Sequence, residues 1–125
     1  MTTSNSIYIC GPVSGTEYYR DRFNKAEKNI RETFDGKIVN PVEMCIYTFE
    51  TPEYVKWERL MYYCLDLLSN CTHIYLMSGW EKSHGARIEQ LWSEKLGLVE
   101  IREKQPELDK IFRDVFSDFF PEVTK

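Results

Sequence analysis

Short apolar runs alternate with segments of helical periodicity along this chain of 125 residues. Such an order is typical of a domain in which parallel strands are connected by helices that cover both faces of the sheet. The length suits one domain over residues 1–125. The predicted strands are residues 7–10, 37–39, 73–77 and 98–101. The predicted helices are residues 19–35, about 52–71, 83–96 and 106–119.

Local signals predict where several of these helices begin and end. Pro52 suits the first position of a helix, and Ser83 is a good N-cap. Gly36 and Gly97 each follow an apolar stripe, and we expect both to act as C′ residues that end a helix.

Charge and composition argue against several classes of protein. With 16 basic and 20 acidic residues the formal net charge is −4, which argues against binding of a nucleic acid polymer. No apolar run approaches the roughly 20 residues that a membrane-spanning helix needs, and the first six residues do not resemble a signal peptide. We therefore expect no membrane partner. The four cysteines include no C-x-x-C pair, so we expect reduced thiols in a cytoplasmic protein and no zinc site.

Ligands of open parallel sheets bind beyond the carboxyl ends of the strands, so the loops after the strands are where we expect a site. These loops are residues 11–17, 40–52 and 78–84. The first contains Gly11, Ser14 and Gly15, whose small side chains let a ligand approach the backbone. The N–H groups at the start of the following helix favour an anion. A tight turn without any ligand explains the same residues equally well.

Glu89 is the candidate catalytic residue of the segment that begins at the Ser83 N-cap. On a helical wheel Glu89 lies at the border of an apolar stripe formed by Ile88, Trp92 and Leu96, which we expect to be the buried face. The positive end of the helix dipole would help to keep the carboxylate ionised. An ionised, partly desolvated carboxylate is what a glycosyl-transfer nucleophile requires. A solvated glutamate near a helix start is the alternative, and it remains open.

Other side chains near these loops carry competing interpretations. Trp80 is a large aromatic residue in a loop on the ligand side, where it can stack on a base or cover the core. His84 lies beside the N-cap but has no evident partner in the sequence. His73 begins a strand, and we expect it to be structural rather than a metal ligand. Cys64 and Cys71 share a helical face, which is the ordinary place for core thiols.

Two separate segments of the sequence resemble motifs of a known superfamily, in the same order along the chain and at the same positions after strands. Residues 7–15, I-Y-I-C-G-P-V-S-G, resemble the opening strand and loop of the nucleoside 2-deoxyribosyltransferase superfamily. Residues 79–89, G-W-E-K-S-H-G-A-R-I-E, are similar to its S-x-G-x-x-x-E segment, in the form typical of a bacterial and phage branch. The resemblance extends over roughly residues 7–101. It implies a Rossmann-like or flavodoxin-like three-layer α/β/α fold with a parallel sheet of four to five strands.

The resemblance also implies an activity and the residues that perform it. Members cleave or transfer at the N-glycosidic bond of nucleosides or nucleoside 5′-monophosphates, and the chain is similar to the 2′-deoxynucleoside 5′-monophosphate N-hydrolases. By motif, Glu89 would attack the anomeric carbon and form a covalent glycosyl-enzyme, with Tyr8 beside it. Water or another base then accepts the sugar. By the same motifs, Ser83 and Gly85 would belong to the loop that holds the sugar or its phosphate. Gly11, Ser14 and Gly15 would belong to the first ligand loop.

Ligands and partners follow from the same resemblance. We expect a small nucleoside or nucleotide as partner and no metal or organic cofactor, because the carboxylate and the leaving base perform the chemistry. Members commonly form homo-oligomers whose sites share residues. The loops that favour anions favour a 5′-monophosphate slightly, with Arg20 or Arg22 as the side chains that reach it. The preferred base, the preferred sugar and the choice between transfer and hydrolysis stay open.

One departure from the superfamily's pattern concerns proton transfer. Members often carry an aspartate on the helix before strand three, and Cys64 stands at that position here. Asp66 faces away from the apolar stripe of that helix, so we expect that it cannot replace the aspartate. Glu43 and Glu58 are the remaining candidates. A nucleotide-binding or sensing module without turnover therefore stays open, as does an interaction domain with a vestigial pocket.

Overall fold

Strands and helices alternate in the structure in the predicted order. It is a computed structural model that describes residues 4–13, 18–44 and 57–104. The elements, in chain order, are β1 (Ser6–Cys10), α1 (Tyr19–Arg31), β2 (Lys37–Val39), α2 (Pro41–Met44), α3 (Trp57–Ser69), β3 (His73–Leu76), a 3₁₀ helix (Trp80–Lys82), α4 (His84–Leu96) and β4 (Val99–Arg102). The predicted helix start near Pro52 and the predicted helix at 106–119 lie outside the described residues. None of the described helices is long and apolar enough to cross a membrane.

The four described strands are all parallel and lie in the order β2-β1-β3-β4. Tyr8 of β1 pairs with Val39 of β2 on one side and with Ile74 of β3 on the other. Because the chain leaves β1 in one direction and later returns to its other side, the loops after β1 and β3 diverge and a crevice opens between them. The predicted α/β class, with helices on both faces of a parallel sheet, is confirmed, and the strand order is the flavodoxin-like one.

β1 lies in the middle of the sheet, and all five of its residues are buried. Its side chains alternate between the two faces of the sheet. Tyr8 and Cys10 belong to the hydrophobic cluster beneath α3 and α4, whereas Ile7 and Ile9 belong to the cluster beneath α1. The alternation therefore directs the Tyr8 side chain towards α4.

α1 ends earlier than the sequence predicts. The apolar stripe predicts Gly36 as the C′ residue, but the helix ends at Arg31. The N–H group of Phe34 donates to the carbonyl of Ile30 over 2.8 Å, and the chain then turns towards β2. Gly36 is needed for another reason, because a Cβ atom there would lie 2.5 Å from the backbone oxygen of Asn5. This glycine marks a close approach of two chain segments rather than a helix end.

Both ends of α4 follow the predicted signals. Ser83 Oγ accepts the N–H group of Ala86 over 3.2 Å, as an N-cap does. Gly97 adopts a left-handed φ of 77°, and the N–H group of Leu98 donates to the carbonyl of Ser93. That pattern is the Schellman ending of a helix. The cap holds the first turn of α4 beside the loop that follows β3.

Candidate active site

A cleft of about 540 Å³ opens at the carboxyl edge of the sheet. It is lined by Gly11 after β1, Pro41 after β2 and Ser83 after β3, so it lies where open parallel sheets bind ligands. Its volume is within the roughly 300–1,000 Å³ typical of small-molecule sites. Apolar side chains from α1 and α3 line the cleft: Phe23, Leu60 and Met61.

The carboxyl group of Glu89 lies in this cleft and is buried, with 7% of the residue exposed. The Tyr8 hydroxyl, which is also buried, donates a hydrogen bond to Glu89 Oε2 over 2.7 Å. The strand β1 supplies the tyrosine and the helix α4 supplies the glutamate. The structure therefore brings together the two residues that the motifs place side by side.

Two thiols complete the surroundings of this carboxyl group. Cys64 on α3 hydrogen-bonds to the Glu89 side chain, and Cys10 at the end of β1 lies beside it and donates to the carbonyl of Ala86 over 3.4 Å. Cys64 lines the cleft and is buried, whereas Asp66 on the same helix is exposed, as the helical wheel predicts. The described neighbours of the Glu89 carboxyl group are thus a hydroxyl and two thiols.

Burial dominates the electrostatics of Glu89. Desolvation raises the pKa of Glu89 from its ordinary value of 4.5 to about 7, against the opposing effect of the Tyr8 hydroxyl and of the Cys10 and Cys64 thiols, which lower it. Desolvation is thus the largest influence on this carboxyl group, and the expected help from the helix dipole stays a prediction. Burial and the nearby Glu89 also raise the pKa of Tyr8 well above 10.0, so the tyrosine remains a donor.

The buried face of α4 differs from the predicted one. The apolar stripe predicts Ile88, Trp92 and Leu96 inside, but Trp92 and Leu96 are 43% and 44% exposed. The buried residues of α4 are instead Ala86, Glu89 and Ser93. Small side chains before and after the glutamate let the helix lie close to the sheet. Glu89 consequently occupies the middle of the buried face rather than its border.

The rim of the cleft forms where the first turns of α3 and α4 meet. The His84 imidazole stacks on the Trp57 indole, with ring centroids 5.5 Å apart and planes at 20°, and both residues line the cleft. Gly85 permits this approach, since a Cβ atom there would lie 3.2 Å from Met61 Sδ. The sequence pattern does not indicate Trp57 as a site residue, because its partner lies on another helix. Nor does the pattern indicate Lys82, which lines the cleft and whose place next to the N-cap was the available signal.

The first ligand loop is described only at its beginning. Gly11 lines the cleft and packs against β3's end, where a Cβ atom would lie 2.5 Å from Met77 Sδ. A glycine is therefore required here by packing alone. Ser14 and Gly15 lie outside the described residues, so their predicted contacts with a ligand stay predictions.

Trp80 does not line the described part of the cleft. The 3₁₀ helix places it against the hydrophobic cluster beneath α3 and α4, where it is partly buried. The Arg102 guanidinium lies 5.7 Å from the centroid of its ring, at cation–π distance. Of the two interpretations, this geometry fits a cover for the core, and contact of Trp80 with substrate stays a prediction.

The charged residues considered as helpers also lie elsewhere. Arg20 forms an ion pair with Glu43 over 3.0 Å, and Arg22 donates to the carbonyl of Ser78 over 2.9 Å. Neither arginine lines the cleft, and neither does Glu43 or the exposed Glu58. Among the described residues that line the cleft, Glu89 is the only one with a carboxyl group.

Comparison with known proteins identifies a family. A family model described as "Domain of unknown function (DUF4406)" matches residues 5–101, which include all described residues of the cleft. No curated protein matches the sequence. Within residues 4–13, 18–44 and 57–104, no group of three or more His, Cys, Asp or Glu side chains is arranged to hold a metal ion.

Proposed function

The chain belongs to the DUF4406 family, whose description names no reaction, and from the geometry of the cleft we propose that it breaks the N-glycosidic bond of a nucleoside or a nucleoside 5′-monophosphate. Glu89 attacks the anomeric carbon, and the base leaves. The resulting glycosyl ester is then resolved by water or by a second base. The observation that carries the proposal is the buried Glu89 carboxyl group, held by Tyr8 in a cleft of suitable size.

The environment of Glu89 suits a carboxylate nucleophile. With a pKa of about 7, the group is close to half ionised at neutral pH. The ionised fraction has lost the hydration that normally shields a carboxylate, so its oxygen atoms are more reactive than those of an exposed glutamate. Tyr8 fixes one of these oxygen atoms by its 2.7 Å hydrogen bond and so limits rotation of the group.

The walls of the cleft suit a flat aromatic ligand with one polar end. Phe23, Leu60 and Met61 offer apolar contacts, and the Trp57–His84 stack lies at the rim. Lys82 lines the cleft immediately before the N-cap of α4, where a positive side chain and helix N–H groups favour an anion. This arrangement supports the preference for a 5′-monophosphate over the free nucleoside.

Release of base by wild-type protein and by Glu89→Gln tests the proposal. A panel of nucleosides and their 5′-monophosphates is incubated with each protein, and free base is measured by chromatography. Because the amide keeps the shape but cannot form the ester, we expect base release to fall by several orders of magnitude while calorimetric binding of the nucleotide persists. Glu94→Gln, the same change at an exposed position of α4, should retain activity.

A specific observation also supports a second candidate function, a nucleotide-binding module without turnover. Cys64 stands beside Glu89 where a second carboxyl group would assist proton transfer in the resembling superfamily. The same experiment distinguishes the two functions. Nucleotide binding by wild-type protein with no release of base from any member of the panel would favour the binding module, and full activity of Glu89→Gln would reject Glu89 as the nucleophile.

A further inference from the structure

Departure of a nucleobase requires a proton, and the described cleft holds a second group placed to supply it. We infer that His84 is the acid that protonates the leaving base and that Trp57 is the positioning residue for its imidazole. The inference rests on the proposed function, in which Glu89 is the nucleophile and cannot also be the acid for the same step. It assigns a chemical role to the rim of the cleft.

The described groups nearest Glu89 are engaged with the carboxylate itself. The Tyr8 hydroxyl donates to Glu89 Oε2, and the Cys64 thiol also hydrogen-bonds to that side chain. Ser83 Oγ accepts the backbone N–H group that completes the helix cap. Among the other ionisable side chains described in the cleft, which are Tyr19, Lys82 and His84, imidazole is the group most often used as a general acid in enzymes.

The spacing along α4 suits the geometry of the reaction. His84 is the first residue of α4 and precedes Glu89 by five residues, which corresponds to roughly 7–8 Å along the helix axis. The nucleophile and the leaving base occupy opposite sides of the anomeric carbon, so an acid for the base must stand well away from the attacking oxygen. Five residues also turn the helix by roughly 140°, so His84 and Glu89 reach the cleft from different sides of α4 and leave room between them for the sugar and the near edge of the base.

The stack with Trp57 gives the imidazole a defined orientation. Face-to-face contact, with planes at 20° and centroids 5.5 Å apart, holds the plane of the ring. The nitrogen atoms of His84 lie in that plane, so they are presented edge-on rather than buried against the indole. Gly85 leaves room beside this contact, since a Cβ atom there would lie 3.2 Å from Met61 Sδ and 3.9 Å from the Trp57 ring.

The proposed reaction uses Glu89, His84, the substrate and water, and its bonds, electrons and protons balance. A Glu89 oxygen forms the bond to the anomeric carbon as the C–N bond breaks, and the electron pair of that bond goes to the base. The His84 imidazolium gives its proton to a nitrogen or oxygen atom of the base. Neutral His84 then takes a proton from water as the water oxygen attacks the anomeric carbon, which releases the sugar, frees the Glu89 carboxylate and restores the imidazolium.

Matched pairs of substrates that differ in their need for a proton test this role. The first pair is dGMP and its N7-methyl derivative, whose base is already positively charged; the second is dUMP and its 5-fluoro derivative, whose base leaves more readily. For His84→Gln we expect base release from dGMP or dUMP to fall by about 10²–10⁴-fold. Release from N7-methyl-dGMP should fall by less than about tenfold, and release from 5-fluoro-dUMP should fall less than release from dUMP.

Further variants separate positioning from folding. Trp57→Leu should show a weaker form of the same leaving-group dependence, and Trp57→Phe, which preserves a stack, should restore much of the lost activity. Arg87→Gln, an exposed change one turn into α4, should leave all four rates unchanged. Lys82→Gln should lower the rates of both members of a pair equally, since the lysine is assigned to ligand binding.

The other possible results of these experiments would contradict the role of His84 as the acid. Equal losses for both members of each pair in His84→Gln, or no loss, would overturn the inference while leaving Glu89 as nucleophile. A leaving-group dependence in Lys82→Gln instead of His84→Gln would assign the acid to the lysine. If wild-type protein releases no base from either pair, the proposed function itself fails, and the inference fails with it.

Discussion

The pH dependence of stability gives the most direct test of how Glu89 is held. A carboxyl group whose pKa is 4.5 when unfolded and about 7 when folded binds its proton more tightly in the folded protein. The contribution of Glu89 to the free energy of unfolding is therefore largest below pH 4.5 and is lost as the pH rises through 7. At about 1.4 kcal/mol per pKa unit, the complete loss is roughly 3 kcal/mol, most of it between pH 5 and pH 8.

Glu89→Gln removes this dependence without removing the side chain. Glutamine stays neutral at every pH, and its carbonyl oxygen can still accept the hydrogen bond from Tyr8. Relative to wild type, the variant should therefore gain stability as the pH rises, by roughly 2–3 kcal/mol between pH 5 and pH 8. Urea unfolding at several pH values, followed by circular dichroism, measures the difference, and Glu94→Gln serves as the exposed control on the same helix.

Parallel curves of stability against pH for wild type and Glu89→Gln would refute the reasoning. Such a result would mean that water reaches the carboxyl group in the folded protein and that burial does not govern its protonation. The glycosyl-transfer proposal would then lose its physical basis, because a hydrated glutamate differs little from the many exposed ones on this chain.

Two further variants test the contacts around this group. Tyr8→Phe removes the hydroxyl that lowers the pKa of Glu89, so that pKa should rise further. The acid limb of the pH profile of base release should then move to higher pH. An unmoved limb would show that the 2.7 Å hydrogen bond does not control the ionisation of Glu89. Ser83→Ala should cost about 1 kcal/mol of stability in urea unfolding through loss of the helix cap. A loss of base release far beyond that cost would show that the Ser83 hydroxyl also contacts substrate.

Local signals in the sequence predict the elements whose limits are decided locally. The two ends of α4 are correct because Ser83 and Gly97 act through bonds within the same helix. The end of α1 is not, because its apolar spacing continues into a turn. The requirement for Gly36 arises from Asn5, a residue distant in sequence that only the folded chain brings close. Helix caps can be predicted from the residues of one segment, whereas close contacts between distant segments cannot.

The candidate site divides in the same way. The motifs indicate Tyr8, Ser83, Gly85 and Glu89, and the structure places all four at one cleft. Helical periodicity nevertheless assigns the wrong buried face to α4, because it counts apolar residues and overlooks a face of small residues around one carboxyl group. The stack of Trp57 on His84 depends on how α3 meets α4, and no spacing within either helix reveals it.

The surroundings of Glu89 explain why the chemistry would be divided between two parts of the cleft. Burial raises the pKa of Cys10 well above its ordinary 9.0, so this neighbour adds no charge, and Cys64 places a thiol rather than a carboxylate on the other side. An aspartate at the position of Cys64 would compete with Glu89 for ionisation, since two like charges at hydrogen-bond distance cannot both be ionised cheaply. A thiol avoids that competition but leaves no second carboxyl group, among the described cleft residues, to pass a proton. Under the proposed function, the inferred source of the proton is the rim, where His84 stands.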